Sequence, residues 1–309
     1  MVKHAFSETV MTILSPAKVR GNVKFSVHVC CAFMAYLLFC SPQFACAAPP
    51  TLSFGVITQR SVILTAQYWN PVLIYLEKKS GVRLVLKMEK TAPEHSRQVG
   101  RGNYDFVYSN HFFTKTNAKA GYRVLARPVG APIVGEIAVP EDSPITRLED
   151  LAGKEVGFPS PAAFVAYAVP MDALTRKGIS VKAVFAGNQE GIMGQFKAGR
   201  VAAVGVNSQV MQSYAAREQF RYRVIWHSAE YLNLPIAAHP RVAASTAKAV
   251  IDALVGMAHD PEGKQILERG GALIGQSPPY GFMRATDREY SNQWEFYKQT
   301  IIAEFDHDH

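Results

Sequence analysis

The sequence predicts an α/β fold of two lobes. Short apolar runs alternate with amphipathic segments, the pattern of strands joined by crossover helices in parallel sheets. The alternation comes in two blocks, and no Pro/Gly/Ser-rich linker separates them. That absence favours lobes joined by crossing strands over independent modules on a tether. The length, 309 residues, suits about two domains, and 48% apolar and 19% charged residues is ordinary globular composition.

In the first block, Leu52–Ile57 reads as a strand and Tyr68–Lys79 as a helix closed by Gly81. Strands at Arg83–Lys87, Tyr104–Tyr108, Arg123–Pro128 and Gly135–Val139 follow, with a polar helix near Glu94–Gly100. The second block begins with a turn and short helix at Ser143–Leu151. It continues with strands at Glu155–Phe158, Val181–Phe185, Val201–Val206 and Tyr222–Trp226. Helices Ala162–Lys177, Glu190–Ala198 and Ser208–Glu218 lie among them. The tail carries a strand at Ile236–Ala238 and helices at Ala244–His259, Pro261–Arg269 and Thr286–Ile302. Thr286 and Glu289 have the spacing of a capping box.

The N-terminus reads as an export signal. Lys18, Arg20 and Lys24 precede an apolar run, Val29–Cys40, and the small-residue site Ala45-Cys46-Ala47 follows. The run falls short of the roughly 20 apolar residues that span a bilayer. The expected cut lies near Ala47; a membrane anchor is the alternative. All four cysteines precede that cut. A mature chain without cysteine suits an oxidising compartment and excludes a Cys nucleophile, a Cys-ligated zinc and a disulfide. Removing residues 1–47 leaves 29 basic against 24 acidic residues, so the net charge falls from +8 to +5. These charges are scattered, which gives no footprint for nucleic acid.

The ends of parallel strands are where open α/β sheets bind ligands. That rule selects five loops. Gln59 and Ser61 follow the first strand. Tyr108, Ser109, Asn110 and His111 place a phenol, a hydroxyl, an amide and an imidazole within four residues. Asn110 and His111 equally suit the cap of a helix starting near Phe112. Ser160, Ala162 and Ala163 stand between a strand and a helix, whose first N–H groups attract anions. Gln189 and Asn207 complete the set. Tyr68, Trp69, Phe164, Tyr167 and Tyr280 are aromatic-wall candidates, with core packing as the competing role.

Several segments together resemble the phosphate/phosphite/phosphonate-type substrate-binding proteins of ABC transporters. They are Phe54–Arg60, Trp69-Asn70-Pro71, Gly102–His111, Leu148–Phe158, Leu234–Val242 and Ala258–Gly263, and they span about residues 51–285. The resemblance implies a two-lobed, type II-like periplasmic binding protein with two crossing hinge strands. Lobe 1 would comprise 48–135 and 238–309, and lobe 2 would comprise 136–237. It implies a small-molecule ligand, an ABC permease as partner, a monomer and no cofactor. It also places a ligand-contacting aromatic at Tyr108 and a cluster of hydroxyls at the third loop. Here only Ser160 keeps a hydroxyl; Pro161 removes a backbone donor, and Gln189 or Glu190 stands near a customary His. That loss suggests a less charged, flatter or more apolar ligand than a phosphoryl dianion.

Two other readings are a receptor feeding a membrane sensor and an enzyme on the same fold. No G-x-S-x-G, H-E-x-x-H or P-loop supports the last. The terminal Asp306-His307-Asp308-His309 is a candidate for a divalent metal, although chain ends are usually solvated.

Overall fold

The computed structural model describes residues 51–302. The export-signal region and the terminal Asp/His run lie outside the described residues. Two sheets organise the rest. The first has the order β11-β4-β10-β3-β1-β2 and the second β7-β6-β8-β5-β9. In the first, β1 (Thr51–Val56), β2 (Arg83–Lys87) and β3 (Phe106–Tyr108) run parallel. Strands β4 (Arg123–Pro128), β10 (Ile236–Ala238) and β11 (Phe282–Arg284) extend it antiparallel. In the second, β6 (Glu155–Phe158), β7 (Lys182–Phe185) and β8 (Ala203–Asn207) are parallel. Strand β5 (Gly135–Pro140) pairs antiparallel with β8 and with β9 (Tyr222–His227).

The chain crosses between the sheets twice, once after β4 and once before β10. The two passages pair at one bridge: Ile133 N–H donates to Tyr231 O at 2.7 Å, and Tyr231 N–H donates to Ile133 O at 2.8 Å. Gly135 N–H then donates to the Ser228 hydroxyl at 2.9 Å. The crossing is therefore a short antiparallel ladder whose partners are nearly 100 residues apart in sequence.

Helix α1 (Val62–Ser80) begins six residues before the expected Tyr68. Ser61 is its N-cap and accepts from Leu64 N–H at 3.3 Å, while Gly81 (φ 71°) ends it in the left-handed region. Against the first sheet, α1 packs with α6 (Ala244–Gly256) and α7 (Pro261–Leu273) around Phe54, Trp69, Leu76 and Leu254. Helix α2 (Ala92–Gly100) lies on the opposite face, where Val99 joins Phe112, Phe113 and Tyr290. Separate clusters around Ile137, Phe158 and Leu174, and around Ile192, Phe196 and Val206, cover the two faces of the second sheet.

The segment expected as one helix, Ala162–Lys177, is built otherwise. Phe164–Ala168 is a π turn, and helix α3 starts only at Val169 and ends at Arg176. Pro170 lies in the first turn of α3. It has no N–H to offer Ala166 O, so the helix begins anew there. The wider turn carries the Val165 and Ala166 carbonyls onto the sheet. A Cβ at Gly135 would collide with Val165 O, and one at Gly205 would stand 2.5 Å from Ala166 O. These two glycines admit the turn that sets the preceding loop.

Three further expectations change. The third strand is Phe106–Tyr108, because Tyr104 N–H is taken by the Tyr122 hydroxyl at 3.2 Å before pairing starts. The short strand β11 was not legible in sequence; it forms because β4 leaves an open edge beside it. The last helix, α8, is Ser291–Gln299, preceded by a 3-10 turn where the Glu289 carboxylate accepts from Thr286 N–H at 2.9 Å. Helices α4 (Gln189–Lys197) and α5 (Ser208–Glu218) complete the second half.

Helix α8 ties the halves together. Trp294 packs edge-on against Phe113 on the first sheet, and Phe296 and Tyr297 pack against Phe164 of the π turn. Just beyond it, the Asp172 carboxylate accepts from the Thr300 hydroxyl at 2.7 Å, Ile301 N–H at 2.9 Å and Arg176 Nε at 2.6 Å. Burial opposes ionisation of Asp172, but these hydrogen bonds outweigh it and hold the carboxyl below its ordinary value.

A depressed carboxyl pKa gives stability that is present above the unfolded value, about pH 4, and lost as pH falls below it. Acid unfolding followed by fluorescence should therefore start at a higher pH in Asp172→Asn than in the parent. Gly135→Ala should lower the unfolding free energy by about 1–3 kcal/mol, read by chemical denaturation, because the carbonyl it meets cannot retreat.

Candidate ligand-binding cleft

The carboxyl ends of the parallel strands in both sheets face a common cleft. Its larger cavity, about 570 Å³, is lined by Gln59, Arg60, Tyr68, Tyr108 and Arg127 from the first half and by Asn207, Gln209 and Ser213 from the second. A smaller one, about 50 Å³, lies deeper among Thr58, Asn110, His111, Ser160, Ala162, Ala163 and Gln189. Ile57, Gln59 and Asn207 line both.

The expected site residues divide between these spaces. Tyr108 faces the larger cavity. Asn110, His111, Ser160, Ala162, Ala163 and Gln189 surround the smaller, and Gln59 and Asn207 sit where the two meet. Ser61 and Ser109 line neither. The Ser61 hydroxyl caps α1, and the fully buried Ser109 hydroxyl accepts from His111 N–H at 3.2 Å. The Asn110 side chain makes no capping hydrogen bond to the 3-10 turn His111–Phe113.

Several polar groups of the small cavity already serve the protein. Ser160 Oγ accepts from Ala162 N–H at 3.1 Å, and Ser160 O accepts from Ala163 N–H. Gln189 Oε1 accepts from Asn207 N–H at 3.0 Å, and Asn207 Oδ1 caps α5 through Gln209 and Val210. The Thr58 hydroxyl is buried without a hydrogen-bond partner. Among the described residues, no titratable side chain other than His111 lines this space.

Two contacts close the cleft from its two sides. Gln189 N–H donates to Gln59 O at 3.3 Å, and His111 Nε2 lies 3.0 Å from Ala162 O. The described conformation is therefore a closed one.

Arg60, between the candidates Gln59 and Ser61, was not singled out by the sequence. It is partly buried at the cavity wall beside Tyr68 and Tyr108. Burial pulls the guanidinium down from its ordinary value, and Tyr108, Glu190 and Tyr68 pull it back. Burial pushes the Tyr68 phenol up to about 12 against the pull of Arg60, and lifts the Tyr108 phenol further. Both phenols stay protonated at neutral pH and remain donors. Trp69 lies 4.9 Å from Tyr108 between ring centroids and serves both core and cavity. Tyr167 instead packs on Phe158 and Phe185 and lines neither space.

Among the described residues no group of three or more His, Cys, Asp or Glu is placed to hold a metal ion. No helix among them is long and apolar enough to cross a membrane.

Two α/β halves, a paired double crossover and a closed cleft at the strand ends define a two-lobed substrate-binding protein. A family model described as the periplasmic substrate-binding protein of the phosphonate ABC transporter matches residues 54–290, and the chain belongs to that family. Its members are transport substrate-binding proteins, not enzymes, and act in the periplasm.

Solved structures share the fold. A binding-protein component of a Pseudomonas aeruginosa ABC phosphonate transporter superposes with TM-score 0.69 at 16% identity, covering 81% of this chain and 87% of its own. PhnD1 from Prochlorococcus marinus in complex with methylphosphonate gives 0.66 at 16% identity, with 81% and 97% covered. A Xanthomonas citri protein bound to ATP gives 0.63 at 16% identity, with 82% and 99% covered. The curated proteins hold no match to the sequence.

Gln189→Ala should strand the buried Asn207 N–H and lower stability by about 1–3 kcal/mol in chemical denaturation, whereas Gln189→Glu, which keeps an acceptor, should recover part of it.

Proposed function

We propose that this chain captures an oxyanion-bearing small molecule between its lobes and hands it to a membrane permease of an ABC importer. The observation that carries this reading is the cavity of about 570 Å³, walled by both halves and supplied with the Arg60 guanidinium. Pockets of 300–1,000 Å³ hold small organic ligands with most of their surface covered. Lobe 1 is assigned as 48–135 with 238–309, and lobe 2 as 136–237. The segment before about Ala47 is assigned as an export signal removed in the periplasm, and the mature protein as a monomer.

Gln59, Tyr108, Asn110, Ser160, Gln189 and Asn207 supply neutral hydrogen-bonding groups along the cleft. His111, Ala162 and Ala163 shape its narrow end. Ser61 and Ser109 act through the backbone they hold. A ligand that touches both lobes stabilises the closed state over the open one, because only the closed state offers both sets of contacts.

Thermal unfolding with a panel of phosphate, phosphite, methylphosphonate, alkylsulfonates, phosphate monoesters and neutral sugars checks this. A bound oxyanion at 100 times its Kd adds about 2.7 kcal/mol to folded-state stability, a clear rise in midpoint. Solution scattering with the same ligand should show a smaller radius of gyration. Stabilisation by neutral sugars alone would remove the oxyanion from the proposal, and silence across the panel would remove capture itself.

A further inference from the structure

The cleft separates two kinds of chemistry. The small cavity at the Ser160 loop is tight and lined by no Lys, Arg, Asp or Glu among the described residues: the Ser160 oxygen accepts from its own loop, the Gln189 amide oxygen is committed to Asn207, and the Thr58 hydroxyl is the buried polar group left over. A doubly charged oxyanion placed there would meet no Lys or Arg and only the Thr58 and Ser160 hydroxyls, and leaving water for so few partners is costly. The large cavity holds what the small one lacks. Among the described residues, Arg60 makes no ion pair or hydrogen bond with any protein group. Glu190, the acid nearest in its field, is already held by Arg217 at 3.1 Å. The Tyr68 and Tyr108 hydroxyls border the same space, and both feel the charge of Arg60. A second cation, Arg127, also lines the cavity, but its Nε lies 3.8 Å from the Glu289 carboxylate and its Nη1 donates to Pro128 O, so its charge is already paired.

A guanidinium flanked by two protonated phenols is a donor set for one oxyanion: the planar fork takes two oxygens and the phenols reach the remainder. Its partial burial at the cavity wall lowers the local screening and strengthens its pull on an anion in the cleft. The rest of the cavity is amide-rich, with Gln59, Gln212 and Gln276 at its walls. A phosphate-sized ion would leave most of this space to water.

We propose that Arg60, with the Tyr68 and Tyr108 hydroxyls, reads the ligand's charge, and that the ligand is an organic oxyanion whose hydroxylated or amide-bearing body fills the large cavity. This rests on the capture reading above and assigns it a ligand class and a charge-reading residue. Recognition of the anion shifts from the Ser160 loop of the second lobe to the first lobe, and the Ser160 pocket closes on a neutral end of the ligand.

Calorimetric titration of the purified protein tests it with phosphate, methylphosphonate, glycerol 3-phosphate, glucose 6-phosphate and glucose. The variants are Arg60→Gln, Arg60→Lys, Tyr68→Phe and Ser160→Ala, each checked for unchanged circular dichroism and ligand-free melting. The larger phosphate esters should bind more tightly than phosphate or methylphosphonate. Arg60→Gln should weaken them about 10- to 100-fold, with Arg60→Lys in between because it keeps charge but not the fork. Tyr68→Phe should cost a smaller factor, and Ser160→Ala less than about threefold. If Ser160→Ala abolishes binding and Arg60→Gln leaves it intact, the charge is read in the second lobe and this inference falls while capture stands. Equal binding of glucose and glucose 6-phosphate has the same consequence. If no probe, charged or neutral, binds the parent, capture fails first and the inference with it.

Discussion

The pairing of two chain crossings, Ile133 against Tyr231, is the constraint on which the rest of this structure depends. The two hydrogen bonds at that bridge are backbone to backbone, so side-chain sequence hardly enters them. They hold the two crossings together at one point between the sheets. Everything that forms the cleft follows from where that point lies. The strand ends that carry Gln59, Tyr108 and Asn207 come to line one cavity beside that crossing. Helix α8 adds a second tie, since its aromatic face contacts Phe113 on one side and Phe164 on the other. Opening the cleft must rotate the halves without losing those ring contacts, or else give up their burial.

Close backbone approach decides the shape of the second half of the site. The π turn at Phe164–Ala168 presses carbonyls against β5 and β8, and only glycine at positions 135 and 205 leaves room. The loop ahead of it, Ser160–Ala163, is thereby tightened until its hydroxyl and N–H groups bond each other. A loop whose N–H groups are satisfied internally has only the Ser160 O–H left to donate to a ligand. Charge enters from the other lobe, where the partly buried Arg60 guanidinium makes no protein hydrogen bond or ion pair and borders the cavity.

Cavity size and cavity chemistry point the same way. The neutral pocket is about 50 Å³ and the cationic one about 570 Å³. A binding protein gains affinity where its unpaired donors are, since groups already satisfied must first release a partner. The division between the spaces at Gln59 and Asn207 therefore sets which end of a ligand enters which pocket.

The alternation of strands and helices was legible in the residues, because apolar runs of period two and helical stripes are local patterns that burial on one face imposes. So were the caps at Gly81 and Thr286/Glu289, and the loops at the strand ends, since each depends on a few neighbouring residues. The order and spacing of short motifs carried the resemblance to the family. What the sequence could not disclose were relations between distant segments. Strand β11 exists only because β4 offers an edge, and the start of α1 at Val62 turns on Ser61 acting as a cap and not as a ligand donor. The split of Ala162–Lys177 into a π turn and α3 depends on Pro170 together with glycines on two other strands. Above all, Arg60 reads as an ordinary surface charge until the fold sets it at a cavity wall beside Tyr68 and Tyr108. Local chemistry determined the elements, the caps and the candidate loops. Tertiary contact alone decided which polar groups are satisfied by the protein and which remain for a ligand, because satisfaction is a property of neighbours that only folding brings together.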